Sequence, residues 1–113
     1  MARTLSKPDL SVRPLAADLT ALGQLVRNRR LDHAMRIDDA AALLGVSSNV
    51  LSRLENGRPV GTDRLLRILD GLGLHLLMVD KADTPAALRV IATFDQPPED
   101  SAPTVRSPAS GKT

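Results

Sequence analysis

Apolar residues recur at three- and four-residue spacing through much of the chain, and four such runs predict four helices. Leu15, Leu19, Leu22, Leu25 and Val26 mark the first, from about Ala16 to Leu31, with Arg27, Arg29 and Arg30 on its polar face. The second runs from Ile37 to Leu44, with Asp38 and Asp39 near its start, where the helix dipole favours negative charge, and Gly45 ending it. Ser47 or Ser48 offers an N-cap for the third, which reaches Leu54 or Asn56 and buries Val50, Leu51 and Leu54 before the Asn56-Gly57 turn. Thr62 and Asp63 offer caps for the fourth, carried by Leu65, Leu66, Ile68, Leu69 and Leu72 and closed by Gly71 and Gly73.

The pattern then changes. Leu74-His75-Leu76-Leu77-Met78-Val79-Asp80 is a short apolar run between glycine and Asp-Lys, which reads as a strand. One strand cannot satisfy its own backbone, so the simplest partner is the same strand of a second copy. Two readings compete for the segment after it: a helix over Pro85 to Thr93 using Leu88, Ile91 and Ala92, or a strand from Arg89 to Phe94. The expected fold class is therefore all-α, a compact domain of four to five helices plus a C-terminal strand that pairs across a dimer. The expected divisions are a flexible arm over 1–14, the helical domain over 15–73 and a dimerising segment over 74–94. A disordered tail over 95–113 follows, with Pro97, Pro98, Pro103 and Pro108 among small polar residues.

Composition narrows the chemistry. The chain's 113 residues suit one modest core. Without cysteine, disulfide scaffolds, thiolate nucleophiles, zinc fingers and iron–sulfur clusters are excluded. Phe94 is the only Phe, Tyr or Trp, so no platform exists for stacking single-stranded bases. No apolar run approaches the roughly 20 residues of a membrane span, which makes a cytoplasmic protein the expectation. Net charge is only +2, but residues 24–67 hold eight Arg against five acids. His33 and His75 lie far apart without further imidazoles, and the serines sit at caps and turns without a nearby base. Neither a metal site, a cofactor nor a catalytic centre is expected.

The informative stretch is Ile37 to Asn56. Two helices joined by a tight turn need a small residue where they cross, here Ala41, and a residue tolerant of positive φ in the turn, here Gly45. Ala40, Leu44, Val46, Leu51 and Leu54 occupy the positions that must be apolar to lock the pair. Ser47, Ser48, Asn49, Ser52 and Arg53 are left on the exposed face, as candidates to reach base edges. This is a helix-turn-helix pattern.

On the motifs LGQLVRNRR, AALLGVSSNVLSRLENG and LLRILDGLGLHLLMVD, the chain from about Leu22 to Leu74 resembles the lambda-repressor/Cro-like (XRE-type) DNA-binding family. Within that family it looks most like HipB-like antitoxins, because the final helix runs straight into the predicted strand. The resemblance implies a homodimer on a palindromic operator in double-stranded DNA. It implies base contacts by Ser48, Asn49 and Arg53, to which the exposed face adds Ser52. It implies phosphate contacts by Arg27, Ser47 and Arg58, and an ion pair of Arg30 with Glu55. Where the family usually has Thr or Ser then Gln at the start of the second helix, this chain has Arg36 then Ile37; Arg36 can still clamp phosphate.

The leading expectation is a sequence-specific transcriptional regulator, a repressor, nucleoid-associated when bound. Its dimer seam would draw on Leu74, Leu76, Leu77, Met78 and Val79. The sharper version is an antitoxin that also binds a HipA-like kinase toxin. The alternative is a protein-interaction module of the same fold without operator binding.

Overall fold

The computed structural model describes residues 5–9 and 12–95 and divides the chain into two units, Met1–Met78 and Val79–Thr113. The first unit holds α1 (Leu19–Asp32), α2 (Ile37–Leu44), α3 (Ser48–Glu55) and α4 (Thr62–Gly71). The second holds a 3-10 turn (Lys81–Asp83) leading into α5 (Thr84–Asp95).

Two helices of the first unit, α1 and α3, start on a side chain that accepts from one of the unpaired N–H groups. Asp18 is extended and its carboxylate accepts from the Ala21 N–H at 2.8 Å. So α1 begins at Leu19, not near Ala16. Of the two candidate serines, Ser47 is the cap of α3, its hydroxyl accepting from the Val50 N–H at 3.1 Å. The N-cap of α4 is Gly61, without a side-chain bond, and Thr62 and Asp63 already lie in the first turn. There the Asp63 charge faces the positive end of the helix dipole instead of capping it.

Gly45 ends α2 in the left-handed region at φ 75°, and the N–H of Val46 returns to the Ala41 carbonyl at 3.0 Å. That closure turns the chain from α2 into α3. Ala34, at φ 56°, takes the same left-handed role after α1, although it carries a Cβ. Its N–H donates to the Leu31 carbonyl and that of Met35 to the Arg30 carbonyl.

The core of the first unit is aliphatic: Val26 from α1, Ala40, Ala41 and Leu44 from α2, Leu51 and Leu54 from α3, and Ile68, Leu69 and Leu72 at the end of α4. The crossings are close. A Cβ on Gly23 would collide with the carbonyl oxygens of Leu54 and Glu55, so α1 lies directly on the end of α3. Arg29 Nε donates to the Leu72 carbonyl at 2.8 Å, and Arg67 Nη1 donates to that of Gly45 at 3.4 Å. Both cations sit at helix C-termini, where the dipole is negative. Before α1, the backbone of Asp9 exchanges two 2.9 Å hydrogen bonds with the Asn28 side chain.

Past Gly73 one expectation changes and one choice between two readings is decided. Leu74 to Asp80 carries no regular element, and no strand occurs among the described residues. A strand is defined by a ladder, and a single chain offers this segment no partner. Leu74 packs against the core and its N–H donates to the Leu69 carbonyl at 2.8 Å. Leu76, Leu77, Met78 and Val79 are exposed. For the segment with two readings, the outcome is the helix, α5, in which the short side chains of Ala86, Ala87 and Ala92 suit helical backbone. The remainder of the predicted tail, from 96 on, lies outside the described residues.

Candidate nucleic-acid interface

α3 has eight residues, about 12 Å of helix. Its inward side is fixed by Leu51 and Leu54, both essentially without solvent exposure, and by a buried ion pair at its end. Arg30 Nε donates to Glu55 Oε2 at 2.7 Å and Nη2 to Oε1 at 2.8 Å, while Nη1 donates to the Met35 carbonyl at 2.8 Å. The side chains are 8% and 5% exposed, so this bidentate pair works in a dry setting as a bolt between α1, the loop after it and α3.

The outward side has the opposite character. Asn49, Ser52, Arg53, Asn56 and Arg58 line one open depression of about 460 Å³. Arg53 is aimed across it, its Nη2 donating to the Pro59 carbonyl at 3.0 Å. One bond uses one of five guanidinium protons and leaves the rest for a ligand. Asn56 Nδ2 donates to the Ser52 carbonyl at 2.8 Å and lies 3.4 Å from its hydroxyl. Arg58 follows the turn, its N–H donating to the Arg53 carbonyl at 2.9 Å. No acidic side chain lines the depression. It offers two carboxamides, a hydroxyl and two guanidinium cations, a set suited to base edges and phosphates.

The other candidates lie elsewhere. Ser48, the first residue of α3, donates its hydroxyl proton to Asp38 Oδ1 at 2.8 Å. Arg36 is the exposed residue before α2, and Ser47 is occupied as a cap. Arg27 is exposed on α1, beside a small hollow shared with Asp9, Val12, Gln24 and Asn28. Two participants escaped the sequence reading. The pattern along the chain marks Asn56 only as a helix end, although its spacing of four from Ser52 already places both on one face. Asp38 gave no local signal, since its partner is ten residues on, across the turn.

Among the described residues, no group of three or more His, Cys, Asp or Glu could hold a metal ion. No helix among them is long and apolar enough to cross a membrane. No curated protein matches the chain significantly. The family model described as a helix-turn-helix domain matches residues 21–82, a stretch that holds all but the first two residues of α1, the whole of α2, α3 and α4, and every residue lining the α3 depression. Over more than half its length, then, in the glycine turn, the crossed pair α2–α3 and the polar outer face of the second helix, this chain belongs to the helix-turn-helix domain family.

Proposed function

We propose that the chain is a sequence-specific, XRE-type transcriptional repressor that binds double-stranded DNA as a homodimer and has no catalytic role. The observation that carries this reading is the depression on α3, where Asn49, Ser52, Arg53 and Arg58 converge and no acidic side chain is part of the lining. An α-helix, about 10–12 Å in diameter with its side chains, fits the major groove, about 12 Å across. Asn49 pairs there with an adenine edge and Arg53 with guanine O6 and N7, while Arg58, Arg27 and Arg36 hold phosphates and fix the register. The exposed Leu76, Leu77, Met78 and Val79 support a seam between two copies, built from this segment as a two-stranded ribbon. Two α3 helices then enter successive major grooves about 34 Å apart on a palindromic operator. The narrower version of this reading is a HipB-like antitoxin that represses its own operon in the cytoplasm and holds a HipA-like kinase toxin inactive.

A mobility-shift titration against the DNA upstream of the protein's own gene tests the proposal. Saturable binding is expected, with two chains per site and an affinity that falls steeply with salt. Arg53→Ala relaxes sequence preference, and Arg58→Ala weakens all sequences alike. Equal affinity for random duplex, or both variants indistinguishable from the parent, overturns the reading.

A further inference from the structure

We infer that Asp38 determines specificity, by making Ser48 an acceptor-only reader that selects a base with an exocyclic amino group, cytosine before adenine. The inference rests on the DNA-binding reading above and deepens it. A serine hydroxyl has one proton and two lone pairs, so a free serine can turn either a donor or an acceptor toward a base and discriminates little. Here the proton is already committed. Ser48 Oγ donates to Asp38 Oδ1 at 2.8 Å, and an ionised carboxylate has no proton to give in exchange.

Both partners stand where the arrangement is sustained. Asp38 is the second residue of α2 and Ser48 the first of α3, so each lies in the first turn of its helix, where the dipole favours the carboxylate charge. The turn through Gly45 is what brings the two N-terminal turns together. Ser48 is partly buried and Asp38 exposed, and the bond between them lies at the surface.

In the major groove, cytosine shows only its N4 amino donor and adenine its N6 amino donor beside the N7 acceptor. Guanine shows two acceptors, and thymine an acceptor and a methyl group. A Ser48 Oγ presenting only lone pairs hydrogen-bonds to cytosine, does so less well to adenine, and repels the oxygens of guanine and thymine. Asp38 thus acts on the base through Ser48, as a positioning residue.

Selection of bound duplexes from a randomised pool, by the full chain, tests this. The parent is expected to enrich cytosine, then adenine, at one position per half-site. Asp38→Ala frees the hydroxyl to donate and admits guanine and thymine there, a loss of discrimination of about fivefold, the scale of one hydrogen bond. Ser48→Ala erases preference at the same position and no other, an outcome available even if the Asp38 variant misfolds. Removing a negative charge raises affinity for all sequences together and leaves the base ratio untouched, so that ratio is the readout. An enriched operator on which Ser48→Ala moves no position, or on which guanine or thymine is preferred at the Ser48-dependent position, overturns this inference alone. Failure of the parent to enrich any sequence overturns the DNA-binding reading and this inference with it.

Discussion

The two sides of α3 share eight residues of backbone and differ in everything that follows from burial. Inward, Leu51, Leu54 and the Arg30–Glu55 pair are enclosed, and the pair joins residues 25 positions apart in the chain. Outward, Asn56 binds Ser52 and Arg53 binds Pro59, both within six residues and both open to solvent. The inward side spends its interactions on holding one geometry. The outward side carries polar groups that water already satisfies, so they can be exchanged for a ligand at little cost in stability. That asymmetry is what a recognition helix requires: changes inside should act on folding, and changes outside on binding.

The largest expected effect comes from Glu55→Ala. It leaves the Arg30 guanidinium buried with only the Met35 carbonyl for company, and removing one partner of a buried pair costs about 3–5 kcal/mol. Against a total stability of roughly 5–15 kcal/mol for a domain, urea unfolding should show the midpoint collapse. A midpoint close to the parent's would mean that water reaches the pair, and would erase the contrast between the two sides.

Gly23→Ala sharpens the same comparison from the opposite helix. Alanine gains about 1 kcal/mol of helix propensity over glycine, but its Cβ would press on the carbonyl oxygens of Leu54 and Glu55. These are backbone atoms and cannot rotate away. Overpacking typically costs about 1–3 kcal/mol, so a net loss of up to about 2 kcal/mol in thermal or urea unfolding is expected. A stabilised variant would show that α1 and α3 can separate slightly.

What could be read from the chain follows the same division. The turn was legible because its constraints are local: Ala41, Gly45 and the apolar spacing on either side lie within one short window, and each has a single physical reason. The Gly23 contact was not, since a glycine inside a helical pattern signals weakness unless the opposing backbone is known. Nor was the Asp38–Ser48 bond, because a helix-start acid is explained fully by the dipole and nothing nearby asks for more. For Leu74 to Asp80 and Pro85 to Phe94, short apolar runs have no decisive period, and helix or strand depends on what the segment meets. Alanine content tips the second toward helix; the first lacks a ladder partner within one chain.

Arg53→Ala should produce the smallest change in stability and the clearest separation of the two sides. Its guanidinium is exposed and makes one 3.0 Å bond to the Pro59 carbonyl, a group that water satisfies equally well once the arginine is gone. Surface substitutions of this kind fall within about ±0.5 kcal/mol, so urea unfolding of the variant should overlay that of the parent. If Arg53 reads guanine as proposed, the same change removes a bidentate contact worth about 1–3 kcal/mol of discrimination against the wrong base. A variant that lost sequence preference and stability in parallel would show that the outer face of α3 also holds the fold, and that recognition and folding are not divided between the two sides of the helix.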